Sequence, residues 1–185
     1  MAMIGGWVQR QASALVALQG QNVGSWQGIE MAVRGDDAHF EFGGPDVPCL
    51  QLLTLRMTLA DNSPVVVTTY QDDDGFGLAI DTCSTWPSEA PDAGYRLRAL
   101  PELPTGRVQE ASTYLDGDLL AEVMLRVEGR ELLLVAGEAD EDHSGRLVWH
   151  RLDESVLVFT RPGDAEAIPW VPARTPLRLI ERKCP

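Results

Sequence analysis

Two runs of carboxylates are the strongest candidates in this chain for binding a metal ion or another cation. The first run is Asp72, Asp73 and Asp74, followed by Gly75, and the second is Glu138, Asp140, Glu141 and Asp142, followed by His143. Hard cations bind several oxygen ligands, and a histidine adds a nitrogen ligand, so the second run is the better metal candidate. If a metal binds, its expected ligands are Glu138, His143 and His150.

Neither run matches the spacing of a known metal-binding loop. The run from Asp72 to Asp74 lacks the alternating acidic ligands and the terminal glutamate of a calcium-binding loop. Acidic residues between strands are most often solvated turn residues. We therefore predict no bound metal and no cofactor. Six of the carboxylates remain candidate binding residues, namely Asp72, Asp73, Asp74, Glu138, Asp140 and Asp142.

The sequence offers little for catalysis. Its histidines are His39, His143 and His150, and of these His143 stands among carboxylates. The Gly-x-Ser-x-Gly elbow, the phosphate-binding loop and the Gly-x-Gly-x-x-Gly motif are absent from the sequence. The pair Asp153 and Glu154 precedes an apolar stretch and is interpreted as a polar turn. We predict no catalytic residue.

Two of the five tryptophans are further candidates for a binding surface. Trp86 is followed by Pro87, and Trp170 lies in a proline cluster, so both fall in predicted loops. An indole in a loop either anchors that loop on the core or forms part of a contact surface or pocket mouth. By contrast, Trp26 and Trp149 fall in predicted strands and are expected in the core.

Strands are the elements that must position these residues, because apolar residues recur with period two between frequent turn signals. The clearest hairpin pairs residues 119–127 with 132–136, and a similar one pairs 53–59 with 65–70. Further strands are predicted at 27–33, 38–42, 76–80, 95–100, 107–115, 146–150, 155–160 and 177–181. The fold class is therefore mainly β, an antiparallel β-barrel or two packed sheets, with at most one short N-terminal helix at 9–19.

The two hairpins resemble each other at a constant offset of 70 residues. Leu53, Leu55, Arg56 and Met57 correspond to Val123, Leu125, Arg126 and Val127. An internal duplication and chance alternation both explain this similarity. The proline-rich stretch 85–104 is interpreted as a linker, which gives an N-terminal half, 1–84, and a C-terminal half, 105–185, packed as one unit.

Composition restricts the classes of partner. The chain has 28 acidic and 15 basic residues, a formal charge of -13, and 44% apolar residues. Such a chain folds, and its negative charge disfavours nucleic acid and anionic membranes. Cys49, Cys83 and Cys184 form no CxxC pair, and the apolar run 14–18 is too short for a signal peptide or a span, so we expect a cytoplasmic protein with reduced thiols. A single lysine among the basic residues is typical of a GC-rich, bacterial genome.

The net charge of -13 and the lack of a recognisable set of catalytic residues favour a non-enzymatic binding module for a basic protein partner. An immunity or antitoxin-type protein is one example. The alternative is a small-molecule-binding or metal-dependent β-barrel enzyme with a pocket between the halves. A structural subunit is a third hypothesis. The sequence indicates neither the identity of the partner nor the oligomeric state.

Overall fold

The computed structural model describes residues 6–31, 47–73, 75–82, 94–174 and 177–180. This part of the chain is mainly β, as the sequence predicts. Its helices are α1 Gly6–Val16 and α2 Pro162–Glu166. Its strands are β1 Asn22–Met31, β2 Leu50–Leu52, β3 Thr54–Leu59, β4 Pro64–Asp72, β5 Gly75–Asp81, β6 Tyr95–Ala99, β7 Gly106–Asp116, β8 Leu119–Val127, β9 Arg130–Glu141, β10 Leu147–Phe159, β11 Trp170–Val171 and β12 Arg178–Leu179.

Hydrogen bonds join the strands into one sheet in the order β11-β10-β9-β8-β7-β1-β3-β4-β5. In addition, β12 pairs with β7, β2 with β10, and β6 with β1. The pairings are antiparallel except for that of β10 with β11. The two ends of this order do not pair with each other, so the expectation of a closed barrel is wrong. Instead the sheet bends until β4 and β5 pack against β10.

The layers meet where the chain passes from β2 to β3. Leu52 of β2 lies opposite Val156 of β10, and two residues later Thr54 of β3 lies opposite Ile29 of β1. Between them the amide of Leu53 donates to the carbonyl of Ile29 at 2.8 Å. The segment that runs from β2 into β3 is therefore tied to strands from both halves of the chain.

The main core fills the space between the facing parts of the sheet. It takes apolar side chains from both halves, among them Leu55, Met57, Val67, Leu78, Val123, Leu125, Leu134, Val156 and Val158. Alternate residues of β9 and β10 point away from this core into a second cluster, which also takes one residue each from α2 and β11. Its members are Leu133, Val135, Ala139, Trp149, Leu157, Phe159, Ala165 and Trp170. Since α2 and β11 cover that second face, β9 is buried on both sides.

The N-terminal helix packs along one open side of the sheet. Val8, Ala12 and Leu15 recur at helical spacing and are buried, and the helix contacts β5, β7 and β8. The side-chain carbonyl of Gln11 accepts a hydrogen bond from the backbone N–H of Ile80 in β5 at 2.6 Å. The helix, Gly6–Val16, begins and ends three residues earlier than the predicted 9–19.

The structure differs from the sequence expectations in a second helix and in the joining of two predicted strands. The five-residue α2 adds a second helix to the single one expected, because Pro162, with its fixed φ, starts a helix in a stretch interpreted as loop. The segments 146–150 and 155–160 form one strand, β10, interrupted by a bulge between Arg151 and Val156. The predicted strand 38–42 and residues 85–93 of the linker lie outside the described part of the chain, while the rest of the linker contains β6, close to the strand predicted at 95–100.

Candidate functional site

Carboxylates from four separate segments lie in three turns of the sheet and in the β10 bulge, and most of them are exposed. We call this group the acidic end. It comprises Asp72 and Asp73 of the β4–β5 turn, Asp118 of the β7–β8 turn, Asp140, Glu141 and Asp142 of the β9–β10 hairpin, and Asp153 and Glu154 of the β10 bulge. The β4–β5 turn, the β7–β8 turn and the bulge lie together, and the β9–β10 hairpin extends beyond the bulge.

Close contacts fix the β4–β5 turn against its neighbours. A Cβ atom at Gly75 would lie 2.7 Å from Cδ1 of Leu119, at the start of β8, and 3.9 Å from Cβ of Leu152 in the bulge. The Thr69 hydroxyl donates to the backbone carbonyl of Glu154 at 2.6 Å. Gly75 thus lies in contact with Leu119, and the β4–β5 turn meets both the start of β8 and the bulge.

The β9–β10 hairpin carries the second acidic run, and its strands continue past the bulge. Gly137 lies opposite Arg151, the residue just before the bulge, and Glu138 lies opposite His150. Asp140, two residues farther along the same face, has its Oδ2 atom 3.6 Å from Nε2 of His150. Unlike Asp140, Glu138 is buried.

Asp142 forms the hairpin turn itself. Its Oδ1 atom accepts hydrogen bonds from the backbone N–H of Ser144 at 2.8 Å, from the Ser144 hydroxyl at 2.6 Å and from the backbone N–H of Arg146 at 3.1 Å. The Ser144 hydroxyl and these amides lower the pKa of the Asp142 carboxyl. The same arrangement recurs in the β3–β4 turn, where Asp61 accepts from Ser63 and has a lowered pKa. Turn formation therefore explains why an aspartate stands at each position.

The suggested metal ligands do not assemble. Within the described residues, no three His, Cys, Asp or Glu side chains converge to hold a metal ion. Glu138 and His150 face each other across the hairpin, whereas His143 lies in the turn beyond them.

A buried ion cluster lies next to the acidic end, and sequence reasoning missed it. Glu122 of β8, only 2% exposed, accepts two hydrogen bonds from Arg174, at 3.0 and 2.5 Å. The buried guanidinium of Arg151 lies 3.4 Å from Glu122 and also donates to Asp116. Arg174 follows β11, so this cluster ties the C-terminal segment to the sheet.

No local signal could have revealed this cluster. Glu122 and Arg174 are 52 positions apart, and Asp116 and Arg151 are 35 apart. In the sequence of β8, Glu122 stands at a position that alternates with the core residues, and a glutamate there is expected to be exposed. It is the C-terminal segment, folded back over that face, that makes the glutamate a buried one.

The remaining predicted binding residues have different surroundings. Trp170 is 8% exposed, its indole N–H donates to the carbonyl of Ala165 at 2.8 Å, and its ring packs edge-on against Trp149 and Phe159. This is the environment of a loop anchor. Asp74 and Trp86 lie outside the described residues.

Cys49 is the one cysteine within the described residues, and its thiol is free. Burial raises the pKa of this thiol to about 12. Because the thiolate is the nucleophilic form, Cys49 stays protonated and unreactive at neutral pH.

No protein-family model, no curated protein and no solved structure matches this chain. Neither helix in the described part of the chain has the length and apolar character needed to cross a membrane. Function therefore has to be argued from the arrangement of these residues.

Proposed function

We propose that the protein is a non-enzymatic binding module that captures a basic protein partner at its acidic end. The observation that carries this proposal is that the β4–β5 turn, the start of β8 and the β10 bulge meet, which brings together Asp72, Asp118 and Glu154 from distant parts of the sequence. Like charges placed together cost stability unless a cation accompanies them. A positively charged protein surface supplies that cation and is steered to the site by the same field.

An immunity or antitoxin-type protein, which neutralises a cationic toxin in the cytoplasm, is the concrete form of this proposal. Proteins of that kind need a charged, exposed surface and no catalytic group. The strand architecture suits the task, because short turns hold the carboxylates in place before the partner arrives and so reduce the entropy lost on binding.

The alternative, a small-molecule-binding or metal-dependent enzyme, has less support. The space between the layers is occupied by the apolar core described above. The suggested ligands Glu138, His143 and His150 are not brought together.

We also infer that the two halves arose by internal duplication. In the N-terminal half β1, β3, β4 and β5 are neighbours in that order, and in the C-terminal half β7, β8, β9 and β10 are neighbours in the corresponding order. The two series join through the pairing of β1 with β7. This parallel in strand order supports the correspondence between hairpins at the offset of 70.

Charge-neutralised variants test the proposed function. The variant D73N/E141Q/E154Q removes three charges from the acidic end, and E110Q/E131Q/E166Q removes the same number from elsewhere on the surface. The probe is a fluorescent nona-arginine peptide, and the measurement is its Kd by anisotropy at several salt concentrations. We expect about a tenfold loss of affinity for the first variant, from three contacts of roughly 0.5 kcal/mol each, and less than a twofold loss for the second.

Two further results bear on the same proposal. Affinity should fall as salt rises, because exposed charges are screened. In affinity capture from a cell lysate, the basic protein that wild type retains should be lost by D73N/E141Q/E154Q and kept by E110Q/E131Q/E166Q. Equal behaviour of the two variants in either assay would show that net charge, and not the acidic end, governs binding.

A further inference from the structure

A pair of aromatic rings, the exposed Trp7 and the half-buried Tyr70, lies beside two carboxylates of the acidic end. Trp7 of α1 and Tyr70 of β4 have ring centroids 4.3 Å apart and ring planes inclined at 71°. Although Val8, Ala12 and Leu15 of the same helix are buried, Trp7 is 39% exposed. A large indole is thus held at the surface by a contact with a neighbouring element.

The position of Tyr70 depends on the residue opposite it. Tyr70 pairs with Gly77 of β5, and a Cβ atom at Gly77 would lie 2.6 Å from Cε1 and 2.8 Å from the hydroxyl of Tyr70. Any larger residue would push the phenol ring away. The ring therefore lies flat over the glycine, where it supports Trp7.

Two carboxylates lie near Tyr70 of this pair. Burial raises the pKa of the Tyr70 phenol, the charges of Asp72 and Asp118 raise it further, and the backbone of Leu120 opposes the shift. The geometry agrees: Asp72 follows Tyr70 by two residues in β4 and lies opposite Gly75, and Gly75 lies beside Leu119, the residue after Asp118. Asp118 is exposed and has a loose contact with Arg178, at 3.9 Å, which leaves it available to another cation.

We propose that Trp7, Tyr70, Asp72 and Asp118 form a receptor for one arginine side chain of the basic partner. This inference rests on the proposed function and names the group that the acidic end recognises. A guanidinium stacks on an indole face and at the same time donates hydrogen bonds to carboxylates beside it. Lysine fits less well, because its ammonium is more strongly hydrated and cannot stack.

Paired peptides of equal charge test the receptor. The probes are nona-arginine and nona-lysine, and the measurement is the Kd of each for wild type, W7A and a control, Y95A. Tyr95 is a suitable control because it is similarly exposed, 41%, but belongs to β6. We expect W7A to weaken nona-arginine binding about two- to fivefold and nona-lysine binding less, with no change for Y95A.

A second measurement keeps the test independent of how well W7A folds. In wild-type protein labelled with ¹⁵N, the indole N–H signal of Trp7, assigned by its loss in W7F, should shift when nona-arginine is added and shift less with nona-lysine. An unmoved Trp7 signal, or equal affinities of wild type and W7A for nona-arginine, would overturn the receptor. If D73N/E141Q/E154Q still weakens binding in that case, the proposed function stands and the receptor alone is lost.

Discussion

Glu122 shows how one residue can change character when a distant segment covers it. Its carboxylate accepts hydrogen bonds from Arg174 and lies near Arg151. On either side of it in β8 the residues are apolar. A buried charge is tolerated only when it is paired. The cluster therefore favours one placement of the C-terminal segment, since Arg174 must lie against Glu122 to make its two hydrogen bonds.

The first prediction concerns this residue. E122Q removes the charge that Arg151 and Arg174 share, and leaves Arg151 buried with Asp116 alone. We expect the free energy of unfolding in urea to fall by about 3 kcal/mol, as when one partner of a buried pair is removed. The control is E110Q, whose exposed pair with Arg126 should contribute less than about 1 kcal/mol. Equal losses in the two variants would contradict the role of burial.

At the scale of elements, the second face of the sheet depends on a close approach of backbones at Gly137. A Cβ atom there would lie 2.6 Å from the backbone carbonyl oxygen of His150 and 3.4 Å from the ring of Trp170. The glycine lets β9 pass under the indole that anchors β11. Because the nearest atom belongs to the backbone, the neighbour cannot rotate out of the way.

The second prediction follows from this contact. G137A should destabilise the protein by about 1–3 kcal/mol, the cost of overpacking a close contact. G163A in α2 is the matched change, because a Cβ atom at Gly163 meets no atom within 4 Å. In a helix the second substitution should be neutral or slightly stabilising. Thermal unfolding followed by circular dichroism measures both, and a G137A variant as stable as G163A would disprove the contact.

The hairpins could be predicted from the sequence, whereas the contacts between distant elements could not. Strand β8 has the bounds expected for it, because alternation between Leu119 and Val127 is a local signal, as is the Glu128-Gly129 turn. Nothing local shows that Gly75 contacts Leu119, or that Trp170 returns to cover β10. For the same reason, the acidic runs were recognised from the sequence, while Trp7, Tyr70 and Asp118 were not.

At the scale of the whole molecule, the two halves share one interior. Residues of both halves meet in the main core, β1 pairs with β7, and β2 pairs with β10. Separating the halves would expose apolar surface on each. The proposed boundaries at 84 and 105 therefore describe the order of the chain more than independent folding units.

The third prediction is that urea unfolds the protein in a single transition. Tryptophan fluorescence and far-ultraviolet circular dichroism should give the same midpoint, because no half can lose its packing while the other keeps it. Fluorescence reports on Trp26 and Trp149, which are buried in different halves of the chain. Two midpoints would indicate separately stable halves.

The hydrogen bond between Ile80 and Gln11 has a consequence for solubility. Strand β5 ends the hydrogen-bonded order of the sheet, and an end strand with free backbone groups can recruit a strand from another molecule. By lying against β5 and engaging the amide of Ile80, α1 blocks this kind of polymerisation. We therefore expect two separate effects to oppose aggregation: repulsion between like-charged molecules, and a helix that already occupies the amide of Ile80 at the end strand.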